Sequence, residues 1–288
     1  MKRLLIIGYG DVARRTLPLL TARYRVFALV RNPAYCASLR ERGATPLLGD
    51  LDQPHSLRRL AGLAHAVLHF APPPAQGKTD TRTRNLLRVL SQGTPPERLV
   101  YISTSGVYGD CAGAWIDETR PCHATTPRAQ RRVDAEQQIR RWAIQQHVNA
   151  SILRVPGIYA ADRLPLARLQ NGTPTLDAAE DGYTNHIHAD DLARIALAAL
   201  RHGKPCRIYH ASDDQPMKMG DYFDAVADAF GLPRVPRISR TQAQQVLPAS
   251  LLSFMNESRR LDNRRLREEL KVALRYPDLA TFLSKDGI

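Results

Sequence analysis

The chain has 288 residues, 43% hydrophobic and 24% charged, which suits one larger domain with a smaller appended lobe. No apolar run approaches a membrane span, and the four apolar residues after Met1-Lys2-Arg3 are too few for a secretory signal, so a cytoplasmic protein is expected. Basic residues outnumber acidic ones by 13, but they are spread along the chain and lack aromatic interleaving. Attraction of anionic small molecules is therefore expected, and nucleic acid is not an expected partner.

Leu4-Leu5-Ile6-Ile7 reads as a buried strand. It runs into Gly8-Tyr9-Gly10-Asp11-Val12-Ala13 and then into a helical pattern. In this G-x-G-x-x-A spacing the first glycine permits a tight turn and the second lets backbone approach a pyrophosphate. The alanine keeps the helix close to the strand, and the helix amino terminus offers free N–H groups to phosphate. Gly8, Gly10, Asp11 and Val12 are thus candidate dinucleotide contacts.

Further strand-like runs lie at 26–30, 47–48, 66–70, 99–103 and 151–154. Helical patterns alternate with them near 11–22, 33–42, 54–62, 79–92 and 128–147. The alternation predicts an α/β fold, a Rossmann-type doubly wound parallel sheet with a small C-terminal lobe. The expected division is a dinucleotide-binding core over 1–155 and a lobe over 156–288. A helix near 190–201 and a strand near 207–211, within the segment 186–211, would return to the core. A helix over 221–230 and an irregular helical tail from 240 complete the lobe.

The second strand ends Val30-Arg31-Asn32-Pro33, where an acid would be needed to hold the 2′-hydroxyl of NAD. Arg31 suits a 2′-phosphate instead, so NADP(H) is the preferred cofactor, with NAD(H) as the alternative. Asp50 and Leu51 follow the third strand, and Phe70, Ala71 and Pro72 follow the fourth. Ligands in open α/β sheets gather at such strand ends. The cysteines (Cys36, Cys111, Cys122, Cys206) lack paired metal-type spacing, so neither a disulfide nor a metal site is expected.

Several motifs now stand in a familiar order: the glycine turn, Gly49-Asp50-Leu51, Ser103-Thr104-Ser105-Gly106-Val107-Tyr108-Gly109, Leu153-Arg154-Val155-Pro156-Gly157 and Ile187-His188-Ala189-Asp190-Asp191-Leu192. Over residues 3–235 the chain resembles the extended short-chain dehydrogenase/reductases of the NAD-dependent epimerase/dehydratase type. It looks closest to their atypical nucleoside-diphosphate-sugar epimerase-like branch, which the stretch from Ser253 to Asn263 also resembles. The resemblance implies an oxidoreductase or epimerase acting on a hydroxyl/carbonyl centre, for example of a nucleotide sugar, as a monomer or homodimer. It implies that Thr104 polarises a substrate oxygen and that Thr104, Arg132, Val155 and Pro156 contact the cofactor. The family's Tyr-x-x-x-Lys pair maps onto Arg128 and Arg132.

Arginine cannot act as a general acid near neutral pH. Tyr108, Tyr159 and His188 are the candidate replacements, and Tyr183, Asn185 and His186 cluster near the last of them. In the same segment Asp190 or Asp191 is expected to cap the following helix. Arg132, Glu136 and Arg140 are spaced for surface i,i+4 pairs, an alternative to ligand binding by Arg132. A dinucleotide sensor without turnover is the alternative to an enzyme.

Overall fold

The computed structural model describes residues 1–285; residues 286–288 of the expected lobe lie outside the described residues. Seven strands form the central sheet: β1 (Lys2–Ile7), β2 (Tyr24–Val30), β3 (Ala44–Leu48), β4 (Ala66–His69), β5 (Arg98–Thr104), β6 (Asn149–Val155) and β7 (Arg207–His210). Their order is β7-β6-β5-β4-β1-β2-β3, with every neighbouring pair parallel. Successive side chains of β1 go to opposite faces, as the period of a strand requires. Leu4 and Ile6 join the cluster under α1 (Asp11–Thr21) and α2 (Tyr35–Glu41), whereas Leu5 and Ile7 join the one under α3 (Thr81–Leu90) and α4 (Pro127–Gln145).

Element ends shift by up to three residues, and two differences have a clear physical reason. The strand expected at 47–48 begins at Ala44 and includes Pro46. It is an edge strand, where the missing proline N–H costs no internal ladder bond. The helical pattern at 54–62 is a tighter 3₁₀ helix, Pro54–Leu60, with proline in its first turn.

The segment α5 (Ala189–His202) packs on the same sheet face as α1, and β7 extends the sheet beside β6. Arg15 of α1 joins the two helices by pairing with Asp190 (2.8 Å) as well as with Asp11 and Asp162. A separate cluster of Tyr159, Phe223, Val226, Tyr276 and Phe282 forms beneath α6 (Met219–Ala229). Among the described residues no helix is long and apolar enough to cross a membrane.

The expected surface pairing of Glu136 with Arg132 and Arg140 does not occur. Glu136 faces inward and is 4% exposed. Arg154 of β6 grips its carboxylate with Nε (3.1 Å) and Nη2 (2.7 Å), and Ser103 Oγ donates to Oε1 at 2.5 Å. An arginine inside a sheet covered by helices needs an anion, and α4 supplies it. Glu136→Gln is expected to lower unfolding free energy by about 3–5 kcal/mol because Arg154 is left uncompensated. Replacing both partners together (E136L with R154M) should recover most of the loss, as measured by urea denaturation.

Candidate functional site: a dinucleotide trough and an arginine-lined cleft

Gly8 lies at φ +90°, and a Cβ on it would come within 2.6 Å of the Ala71 amide nitrogen. Here the chain leaves β1 for one sheet face and β4 for the other, the switch point where α/β sheets open a crevice. Gly10 opens α1 with no side-chain cap, and a Cβ on it would meet no protein atom within 4 Å. The first-turn N–H groups therefore face open space, and the positive end of the helix suits phosphate. Asp11 would oppose this field, but Arg15 (3.0 Å) and Arg163 (3.1 Å) neutralise its carboxylate.

From this turn a cleft of about 410 Å³ runs over the ends of β2 and β3. Of the expected cofactor contacts, Gly8, Gly10, Arg31, Asp50, Leu51, Ala71 and Pro72 line it; Asp11, Val12 and Phe70 adjoin it in the chain. Arg31 stands exposed on the rim and makes no hydrogen bond or ion pair among the described residues. The Asp50 loop is fixed from within, its amide donating to Ser56 Oγ (2.9 Å) and its carboxylate accepting from the Asp52 amide (3.0 Å). Arg82, not singled out in the sequence, forks onto Asp52 (2.8 and 2.6 Å) and reaches the carbonyls of Pro72 and Pro73. The Arg82 hydrogen bonds hold the Asp52 carboxyl below its ordinary range. One side chain thus ties the proline wall to the β3 loop.

Pro72 also borders a second cleft of about 610 Å³, so the two clefts meet at this residue and are together called the trough. Thr104, Arg132 and Pro156 line this part, and Val155 lies beside Thr104 as its β6 partner. Thr104 Oγ1 accepts the Gly106 amide (3.2 Å), and its own proton has no acceptor among the described residues. Arg132 is planted on the end of β5 by Nη1 bonds to the Ile102 carbonyl (2.8 Å) and the Tyr101 hydroxyl (2.9 Å). One helical turn earlier, the Arg128 guanidinium lies 3.9 Å over the Phe254 ring. From the tail come Glu257 and Arg259, paired at 2.9 Å.

Three expected proton donors lie elsewhere. Tyr108 is 1% exposed, with its hydroxyl on His210 Nε2. The other ring nitrogen of His210 bonds the Asp262 carbonyl (2.8 Å), and burial pushes this histidine down to about 4. Tyr159 is equally buried within the Phe282 cluster. His188 caps α5, its Nδ1 accepting the Asp190 amide at 3.2 Å, where an aspartate cap was expected. Asp190 is drawn to Arg15, and fully buried Asp191 accepts the amides of Arg275 and Tyr276. Tyr183, Asn185 and His186 do line the second cleft, together with Tyr222, which stacks on His186 at 4.2 Å. Burial pushes His186 down to about 4, so it is neutral at pH 7.

The fold and the glycine turn define a dinucleotide-binding α/β protein with a second cleft at the far end of its trough. The chain belongs to the NAD(P)H-binding family, whose model matches residues 8–203. It is 24% identical over 248 residues to human (Homo sapiens) dTDP-D-glucose 4,6-dehydratase, covering 76% of this chain and 71% of that protein. Among solved structures it is similar to a functionally unknown conserved protein from Silicibacter pomeroyi, with 29% identity, TM-score 0.80 and coverage of 99% and 97%. It shares its fold with the dTDP-glucose 4,6-dehydratase DesIV from Streptomyces venezuelae, solved as a double mutant with NAD and DAU bound; identity is 20%, TM-score 0.79 and coverage 98% and 95%.

The two glycines of the turn should respond differently to a methyl group. Gly8→Ala is expected to destabilise the fold by about 1–3 kcal/mol through the strained φ and the Ala71 contact. Gly10→Ala should fold with unchanged stability and bind NADPH at least about tenfold more weakly, since its Cβ enters the space next to the helix terminus. Thermal denaturation and nicotinamide fluorescence titration check the pair.

Proposed function

We propose that the protein is an NADP(H)-linked oxidoreductase or epimerase acting on a hydroxyl/carbonyl centre of a nucleotide-sugar-like molecule. The observation that carries this reading is the pair of clefts that meet at Pro72, with Arg31 at one end, the glycine turn between and Thr104 at the other end. The amides at the start of α1 would hold the pyrophosphate, Arg31 a 2′-phosphate, and Arg132 and Pro156 the nicotinamide end. The bound nicotinamide would supply or accept hydride. Thr104 would donate its free proton in a hydrogen bond to the substrate oxygen, stabilising charge that develops there. Glu257 is the group nearest to hand for proton exchange. A Cβ on Gly106 would lie 3.6 Å from Thr104 Oγ1 and 3.9 Å from Glu257 Oε2, so both oxygens border one small gap.

A second reading, a dinucleotide sensor without turnover, draws on the burial of Tyr108, Tyr159 and His188, none of which lines the cleft, and on the arginines at 128 and 132. Conversion of dTDP-glucose or UDP-glucose in the presence of NADP⁺, and oxidation of NADPH by simple carbonyl compounds, separate the two. The enzyme reading expects turnover that Thr104→Ala lowers by about a hundredfold while NADPH affinity stays the same. Tight NADPH binding without turnover on any of them, and no effect of Thr104→Ala, would favour the sensor.

Cofactor choice has its own test. Arg31→Asp is expected to weaken NADPH by about tenfold or more, the loss of a charge-assisted contact, with a smaller effect on NADH. Equal losses for both in fluorescence titrations would exclude 2′-phosphate recognition by Arg31.

A further inference from the structure

We propose that the Thr104 end of the second cleft is an oxyanion site built around Arg128, and that the substrate carries a phosphate or carboxylate on its reacting part. The inference rests on reading this cleft as the substrate site and names the chemistry of what enters it.

The cleft is lined by five arginines (Arg128, Arg131, Arg132, Arg168 and Arg259) against a single carboxylate, Glu257. That carboxylate is already engaged by Arg259. Arg128 has no hydrogen bond or ion pair among the described residues and rests only on the Phe254 ring. Partial burial, together with the charges of Arg132, Arg259 and Arg131, holds its guanidinium below the ordinary arginine range, although Glu257 opposes the shift.

The cluster also has donor capacity to spare. Arg131 is 8% exposed, and its Nε is buried without a partner, as are the Nε groups of Arg168 and Arg259. Like charges gathered in one cleft are costly, and a bound anion offsets that repulsion. Planar guanidinium forks match the oxygens of phosphate and carboxylate. The aromatic wall of Tyr183, Tyr222 and Phe223 favours a small molecule with an apolar or ring face beside the charge.

Two features separate this site from the cofactor's own phosphate cradle. The cradle lies in the first cleft at Gly8 and Gly10, and Arg128, Arg131 and Arg132 line the second. Arg132 is fixed to the Ile102 carbonyl two residues before Thr104, and Arg128 stands one turn away on the same helix. An oxyanion here sits next to the reacting oxygen. The same guanidinium would then stabilise negative charge as it forms on that oxygen.

Calorimetric titration of the full chain with inorganic phosphate, glucose 6-phosphate, glucuronate and neutral glucose, with and without saturating NADPH, tests the proposal. Phosphate is expected to bind the NADPH-saturated protein, and glucose is not. Competition by glucose 6-phosphate or by glucuronate then shows which oxyanion the site takes. Arg128→Met, which keeps an unbranched side chain but removes the guanidinium, should weaken phosphate by at least about tenfold, the loss of a charge-assisted contact, and Arg128→Lys by less. Arg88→Met, an exposed arginine outside both clefts, should leave phosphate binding unchanged.

Several results would overturn the proposal: no oxyanion binding, unchanged affinity in Arg128→Met, an equal loss in Arg88→Met, or one-for-one displacement of NADPH by phosphate. A loss of stability in Arg128→Met with phosphate affinity intact would likewise overturn it, making Arg128 a clamp on Phe254. If NADPH itself fails to bind, the cofactor reading fails, and the titrations on the free protein still decide the anion site.

Discussion

Gly8 and Ala71 meet backbone to backbone at the carboxyl ends of β1 and β4, and the rest of the site depends on that approach. Because no side chain fits between them, the two loops lie close and then part to opposite faces of the sheet. Their parting opens the crevice, aims the amino terminus of α1 along it and sets Pro72 where the two clefts join. Glycine at 8 is demanded by the protein itself. Glycine at 10 faces empty space, which makes sense only in terms of what comes to lie there.

Charge is distributed along the trough in two ways. Near the glycine turn the protein cancels its own acidity, since Asp11 is held between Arg15 and Arg163 and Asp52 by Arg82. The helix terminus and Arg31 are left to set the local field. At the Thr104 end the balance is one-sided, with five arginines that find carbonyls, aromatic faces or the single carboxylate of Glu257. Part of the net charge of +13 is therefore concentrated in a cleft suited to an anion of modest size.

Local features were the legible ones. The turn at Gly8 and Gly10, the alternation of strands and helices and the exit of Arg31 from β2 are each written within a few residues. Thr104 follows from its place at the end of β5. Contacts that close over long distances were hidden. Glu136 looked like one member of a surface row because its partner, Arg154, lies 18 residues on, in a strand of the sheet. Arg82 works through a loop 30 residues earlier, and Arg128 meets Phe254 from the far end of the chain. His188 displaced the expected aspartate caps because Arg15 and the amides at 275 and 276 claim those carboxylates. The tyrosines at 108 and 159 looked available at the ends of strands, yet each is drawn into an apolar cluster with members from distant segments.

A crystal structure of the protein with NADPH tests the central claim most directly. The account predicts pyrophosphate against the first-turn amides of α1, the 2′-phosphate at Arg31 and the nicotinamide beside Thr104 and Pro156. A dinucleotide lying outside this trough, or bound with its nicotinamide at the Arg31 end, would contradict it.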